Sequence, residues 1–464
     1  MIRKWLGCAA LIAGVAMSFL EQTILPVALP AIQGEFGASD VELEWCVNSY
    51  MLAIAVLVLT GGKLADRIGH RNGFFWGVAL FTLASIFCGM SQSAPSLIAA
   101  RALQGAGGAL MFPSLSAILP ALFSPQERGK AMGINTSASS LFLILGPLVG
   151  GYLTEHFSWR WIFWVNIPIA GAAIALGILF LPRIEKRAAK IDPWGFLCYA
   201  FSCGALTILL MEGRGWGWSS SRSIGAFGVF AVAAFLLFLR EKKAAHPYLD
   251  LGLFKHPVYR AANITVWAIQ FILMVAVFRT IYFQTALGYS PVETGLFTTF
   301  CTLPVLFLGV IGGLLSDRFG PKCPIAIGFL CLIFSFFWFF FTPAPSLWQI
   351  IVPLVAFGAG VPLVFTPSYS AAIGAVSQAK IGAAFGILSA TRSLGATMGV
   401  AVIGLLIDAI EKGDVNSPEA QARGFSISHL VLAFLLIAAF AAVFVLHSRK
   451  SAHRLPKTPA EGWD

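Results

Sequence analysis

Charge is scarce in this chain. Asp, Glu, Lys and Arg make up 11% of its 464 residues, whereas a soluble protein keeps about a quarter of its residues charged because its surface faces water. Metal-ligand spacing is missing as well. The eight cysteines are scattered singly through apolar stretches, none forms CxxC, and no His/Cys group is spaced to hold a metal. The seven histidines are mostly isolated and are expected in or near loops. No loop is long enough for an appended soluble domain, which argues against a sensor or scaffold. The first apolar stretch lacks an A-x-A site before its polar flank, so it reads as an uncleaved helix rather than a signal peptide.

What is present is hydrocarbon. Apolar residues form 58% of the chain, with 40 Phe and 13 Trp, and mean hydropathy is +0.82. Most of the outer surface must therefore meet lipid. A crossing helix needs about 20 apolar residues. Blocks of that kind fall near 5–31, 45–62, 73–91, 95–123, 131–154, 161–181, 193–211, 223–239, 261–285, 293–315, 323–342, 347–375, 381–408 and 426–447. The expectation is an all-α polytopic membrane protein with fourteen transmembrane helices.

The net charge of +10 resembles a nucleic-acid signal until the charges are placed. With the N-terminus inside and strict alternation, 23 of the 31 Lys and Arg fall inside and 5 outside. The remaining three, Arg101, Arg279 and Arg392, lie within spans. That asymmetry follows the positive-inside rule, puts both termini in the cytoplasm, and assigns the basic balance to topology and anionic lipid rather than nucleic acid.

A repeat follows. Gly61-Gly62-Lys63-Leu64-Ala65-Asp66-Arg67-Ile68-Gly69 returns 251 residues later as Gly312-Gly313-Leu314-Leu315-Ser316-Asp317-Arg318-Phe319-Gly320. Each copy follows the second span of its half. The expected organisation is a six-helix bundle over 1–181, a linker with two additional helices over 182–251, and a second six-helix bundle over 252–464. Two parallel halves suit alternating access.

With these residues in place, the chain resembles the major facilitator superfamily, and more narrowly its fourteen-helix drug:proton antiporter branch. Gly62-x-Leu64-Ala65-Asp66-Arg67-x-Gly69-His70-Arg71 is similar to the superfamily's loop after the second helix. Arg101-Ala102-Leu103-Gln104-Gly105 resembles its arginine-containing motif. Gly146-Pro147-Leu148-Val149-Gly150-Gly151 resembles its antiporter motif, although Phe142 stands where the longer version often has Gly. Ser158-Trp159-Arg160-Trp161-Ile162-Phe163, Asn166-Ile167-Pro168 and Trp216-Gly217-Trp218 are similar to segments typical of the branch.

The resemblance and the intramembrane charges nominate the working residues. Glu21 lies within the first span, where a carboxylate is expensive unless paired or hydrated and usually marks a functional path. The family has an aspartate there, and Pro26 replaces a following asparagine. Glu21 with Arg101 is the expected proton-coupling pair, driven by the proton gradient without a cofactor. The bland reading of each is structural: a Glu held by a polar partner, an Arg bonded to helix carbonyls. Gln22, Tyr50, Arg279, Tyr282, Gln284 and Arg392 are the expected cavity residues, with Asn48 and Gln270 as further candidates. Arg392 resembles a common arginine position in the branch; Arg279 matches no typical position.

Gly62, Asp66, Arg67, Gly69, Arg71, Asp317 and Arg318 are expected to serve gating, and the resemblance implies that this loop locks the two halves through charge pairs. Gly146, Pro147, Gly150 and Gly151 imply a bent fifth helix in close contact with a neighbour. Glu44, Glu212 and Asp408, near span ends, could also take protons.

The expected function is proton-coupled efflux of amphipathic small molecules from a bacterial inner membrane. The expected assembly is a monomer, with a periplasmic adaptor as an optional partner. Three arginines against one deep acid motivate an alternative, a dedicated exporter of an anionic or zwitterionic metabolite such as a siderophore. An intramembrane enzyme would need paired acids, a metal cluster or a Ser/Lys dyad within the spans, and none is evident.

Overall fold

The computed structural model describes residues 2–124, 127–184, 186, 192–244, 248–342, 346–376, 380–411 and 417–448. Long apolar runs without internal polar turns leave the backbone one way to satisfy its hydrogen bonds in lipid, which is helix. The described chain follows that rule. We number the crossing helices α1 (Ile2–Phe36), α2 (Asp40–Ile68), α3 (His70–Met90), α4 (Ala94–Leu122), α5 (Arg128–His156), α6 (Trp161–Phe180) and α7 (Pro193–Trp216). The second part of the chain supplies α8 (Ser221–Lys243), α9 (Pro257–Thr285), α10 (Pro291–Phe319), α11 (Lys322–Phe341), α12 (Leu347–Gly374), α13 (Ile381–Glu411) and α14 (Pro418–Ser448).

Among the described residues, thirteen of these meet the length and hydropathy of a membrane span. The other, α5, is 29 residues long and is packed lengthwise between α1 and α10. Several helices outrun the apolar blocks that announced them. α1 has 35 residues, about 52 Å at 1.5 Å per residue, so its ends project past a hydrocarbon core of about 30 Å.

The two halves repeat locally as well as in sequence. α2 and α10 each have 29 residues. Each opens on a serine–glutamate capping box, Ser39 with Glu42 and Ser290 with Glu293, which satisfies orphan amides at the helix start. Each closes on a glycine with positive φ, Gly69 at 91° and Gly320 at 78°, a conformation that side-chain-bearing residues rarely adopt. The sixth and ninth crossings are broken, α6 near Val165 and α9 near Met274.

The extra pair is an outrigger. α8 packs chiefly on α7 and exposes Phe227, Val232 and Phe235 outward, while α7 docks on α2 and α13. Those two helices, α2 and α13, also pack on each other and so form a seam between the halves. One core cluster crosses between the halves, joining Leu20, Ile24 and Leu25 of α1 to Val277 of α9 and Val400 of α13. Two ends can be distinguished: the basic end, where α1 begins, and the opposite end, where α1 hands over to α2.

Candidate functional site

In the first half, five helices converge on one buried polar cluster. Glu21 of α1 and Arg101 of α4 are each 1% exposed, and Arg101 Nη1 donates to Glu21 Oε2 at 2.8 Å. The other carboxylate oxygen accepts from Gln104 Nε2 at 3.0 Å and Asn166 Nδ2 at 2.7 Å. Arg101 Nε donates to the Cys46 carbonyl of α2 at 3.0 Å, and its guanidinium lies 4.5 Å from the Tyr50 ring centroid. Gln104 also donates to Ser85 Oγ of α3 at 2.7 Å.

The local sequence explains the arrangement. Arg101 and Gln104 are three apart, so one face of α4 presents both. Asn166 stands at the break in α6, two residues before Pro168, which lets its side chain turn into the cluster. A buried ion pair offsets its desolvation only when every remaining polar atom is satisfied; both carboxylate oxygens are. Sequence reasoning paired Glu21 with Arg101 but gave Gln104 and Asn166 no role. Gln104's i,i+3 spacing to Arg101 was the available signal for the first, and the polar residue beside a proline within an apolar run for the second.

The glycine motif of α5 explains how this cluster meets the rest of the molecule. A Cβ on Gly146 would stand 2.1 Å from Thr23 Oγ1, and one on Gly150 would stand 2.7 Å from Ile24 Cγ1. On the other face a Cβ on Gly151 would stand 2.5 Å from the Pro291 carbonyl oxygen of α10. Gly295 returns the contact: its Cβ would stand 2.2 Å from the Pro147 carbonyl oxygen. α5 is thus wedged between α1, two residues past Glu21, and the second half. Only glycine allows both approaches.

A separate cavity of about 780 Å³ opens at the opposite end, between the end of α1 and the start of α2, the extra helix α7 and the second half. Asp40, Glu44, Arg214, Asp408 and Glu411 line its rim; Arg279, Tyr282, Ser428 and His429 line it further in. Arg214 pairs with Asp408. Arg279 is 3% exposed and has no carboxylate partner among the described residues. Instead its guanidinium lies over the rings of Phe357 and Phe339, at 4.6 and 5.5 Å.

Of the six residues expected to line a substrate cavity, Arg279 and Tyr282 line this one. Gln22, Tyr50, Gln284 and Arg392 do not. Gln22 donates back to the Ser18 carbonyl of its own helix, Tyr50 packs under Arg101, and Gln284 donates to the Val27 carbonyl, tying α9 to α1. Arg392 is half-buried elsewhere on α13. Helical face separates these residues, and one sequence does not fix it. Asn48 is likewise enclosed, its amide directed to the Thr397 carbonyl and the Met211 sulfur. Gln270 is buried away from the cavity. His429 corrects the expectation that histidines keep to loops: it is buried within α14.

Among the described residues, the first-half loop residues expected to gate make their hydrogen bonds and ion pairs within that half. Asp66 Oδ1 lies 3.0 Å from His70 Nε2, and Arg71 donates to the Ile178 carbonyl of α6 at 2.8 Å. Arg67 is exposed, Gly62 abuts Pro113, and Gly69 makes the turn. In the second copy Arg318 is exposed over Phe319, while the Asp317 side chain lies outside the described residues. Among the described residues, no ion pair joins this loop to the second half. No group of acids, histidines and cysteines among them could hold a metal.

Comparison with known proteins agrees with this architecture. The family model described as Major Facilitator Superfamily matches residues 11–272 and again 261–463. The chain is 34% identical over 427 residues to the multidrug resistance protein Stp of Mycobacterium tuberculosis, covering 91% of this chain and 80% of that one. It is 32% identical over 423 residues to the tetracenomycin C resistance and export protein of Streptomyces glaucescens, with 89% and 77% covered. The fold is similar to that of a bacterial homologue of the human lysosomal transporter Spinster, solved inward-facing and unoccupied. There the TM-score is 0.70 at 17% identity, over 96% of this chain and 97% of that one.

Proposed function

The chain belongs to the major facilitator superfamily, and on that premise we propose that it exports small amphipathic molecules in exchange for protons. As a member of that family it is a multi-pass membrane transport protein and not an enzyme. The relatives named for resistance and export support the outward direction. The excess of Lys and Arg at the basic end supports placing that end, with both termini, in the cytoplasm of a bacterial inner membrane. No cofactor enters the proposal; the proton gradient drives the cycle. The protein works as a monomer, and a periplasmic adaptor is an optional partner.

One observation carries the coupling: a sealed carboxylate, Glu21, whose partners are a permanent cation and two side-chain amides. A guanidinium does not deprotonate in a protein, so Arg101 is a fixed charge and Glu21 is the group that changes. Ionised, Glu21 neutralises Arg101. Protonated, it leaves Arg101 uncompensated except for Gln104 and the Cys46 carbonyl. That change loosens α1 from α4, and α1 bears directly on α5 through Gly146 and Gly150. α5 in turn bears on α10, so the protonation state of Glu21 reaches the seam between the halves. A two-state rocking motion biased at one residue is the economical way to exchange proton for solute.

The test is proton movement in proteoliposomes, with ethidium as a cationic probe, salicylate as an anionic one and a salicylate bearing an aminobutyl chain as a zwitterionic one, in separate arms. Wild-type protein moves protons when at least one of the three is added, and Glu21→Gln does not. Uphill transport by Glu21→Gln equal to wild type overturns the coupling role, and a wild type that moves protons with none of the three overturns the exchange itself. The uncompensated Arg279 favours a second reading within transport, a dedicated exporter of an anionic or zwitterionic metabolite, which the three arms separate.

A further inference from the structure

The cavity at the opposite end is polarised along its depth. Its acids belong to helix ends: Asp40 and Glu44 to the first turns of α2, Asp408 and Glu411 to the last turn of α13. Arg214, the one basic residue among them, is spent on Asp408. Arg279 lies six residues before the end of α9, about 9 Å below it at 1.5 Å per residue. His429 lies eleven residues into α14, about 16 Å by the same measure. Carboxyl groups gather at the mouth, and a guanidinium stands in the interior.

The interior is also incomplete. Arg279 Nη1 and His429 Nε2 are buried side-chain nitrogens without a hydrogen-bond partner, and both residues line the cavity. Buried polar atoms are ordinarily paired, and each exception asks for an explanation. His429 Nδ1 lies 2.7 Å from the Phe425 carbonyl oxygen, a contact in which the ring N–H donates. In the neutral ring Nε2 is then an acceptor. The interior therefore offers a guanidinium donor beside an imidazole acceptor, among the rings of Phe336, Phe339, Phe357 and Phe425.

We propose that this cavity is a binding site for a zwitterion whose carboxylate pairs with Arg279, with an O–H or N–H beside that carboxylate donating to His429. Its cationic group, roughly 10 Å away along the helix rise, lies among Glu44, Glu411 and Asp40. The body between the poles packs on Phe278, Tyr282 and Phe425. The volume suits a drug-sized molecule, since such sites run about 300–1,000 Å³. The proposal rests on the reading of the protein as a small-molecule transporter and narrows its substrate class. A lipophilic monocation satisfies the rim and leaves Arg279 uncompensated; a simple anion does the reverse. α7, which supplies Arg214 and Met211 to the wall, makes the inserted pair part of the site.

The experiment measures equilibrium binding to the purified full chain in detergent, without a proton gradient, so that failure of antiport and failure of this site are told apart. Three probes share one fluorescent skeleton: a salicylate bearing an aminobutyl chain para to its hydroxyl, its methyl ester, and its N-acetyl derivative. Wild type is expected to bind the zwitterion at least tenfold more tightly than the ester or the N-acetyl compound. Arg279→Gln should bring the zwitterion down to the ester and leave the ester unchanged; Arg279→Lys should keep most of the preference. Glu44→Gln with Glu411→Gln should weaken the zwitterion and the ester but spare the N-acetyl compound. Affinity ratios within one preparation do not depend on the fraction that folds. A wild type that binds the three alike, or binds none, overturns the assignment, as does an Arg279→Gln protein with the wild-type ratio.

Discussion

Each half of the protein buries an arginine, and the two are treated in opposite ways. Arg101 of the first half has a carboxylate, a side-chain amide and a backbone carbonyl within hydrogen-bond distance, and it is sealed from every cavity described above. Arg279 of the second half lies against two phenyl rings and a thiol, with Nη1 unpartnered and a cavity at its side. A buried charge satisfied within the protein serves the protein's own states. One left open is completed by something that arrives. On the reading proposed above, a duplicated fold divides its labour: Glu21 in the first half would hold the proton, and Arg279 in the second would meet the carboxylate of the solute.

The largest effect expected from breaking this contrast is at Arg101. Truncating one partner of a buried pair strands the other charge, a loss of about 3–5 kcal/mol. Arg101→Ala is therefore expected to lower thermal stability in detergent by many degrees and to abolish transport. The double variant Arg101→Ala with Glu21→Gln should recover much of the stability and none of the proton exchange. A melting profile of the double variant no better than that of the single one breaks the account of the pair. The corresponding truncation at Arg279 removes a charge that no carboxylate needs, so its stability effect should be far smaller.

The contrast can also be erased. Cys301 of α10 lies within hydrogen-bond reach of Arg279 and is buried. Cys301→Asp gives Arg279 the internal carboxylate that Arg101 already has. The chain should remain folded, because the new charge is paired as it is introduced. Its preference for the zwitterion over the ester should fall at least tenfold, with the ester bound as before. Binding ratios for the three salicylate probes check this, and an unchanged ratio would show that Arg279 does not meet the carboxylate.

How much of this was legible beforehand follows from what a linear sequence encodes. A charge inside an apolar run is conspicuous, so Glu21, Arg101 and Arg279 stood out. The run lengths gave the fourteen helices, because an unbroken apolar run of about 20 residues crosses lipid as a helix, whereas a barrel strand is about half as long. Helical face is a matter of packing, so Gln22, Tyr50, Gln284 and Arg392 could not be told from Arg279 and Tyr282, which line the described cavity. The cavity rim was harder still. Asp40 and Glu411 look like ordinary polar flanks, and only the bundle brings α2, α7 and α13 together at one mouth. His429 was hidden for the reverse reason: a lone histidine in an apolar helix gives no sign of whether its ring is satisfied.

The smallest effect tests the other end of the scale, an ion pair outside the membrane spans. Asp192 caps α7 by accepting from the Gly195 amide at 3.1 Å, and it also accepts from Arg240 at the end of α8. Burial works to raise its carboxyl, but the Arg240 hydrogen bonds and the Gly195 amide outweigh it and hold the group below the usual carboxylate range. A carboxyl lowered in the folded state contributes stability that is present above its unfolded value of about 4 and is lost as pH falls through the lower folded value. Arg240 is about half exposed, so water screens much of the pair, and what remains is mainly the cap. Asp192→Ala should therefore cost about 1 kcal/mol, seen as a slightly lower melting temperature at neutral pH and no difference from wild type well below pH 3. Zwitterion binding should be untouched at neutral pH, because the far end of α7, with Arg214, is what meets the cavity. A loss of binding in Asp192→Ala would mean that the outrigger positions the site along its whole length.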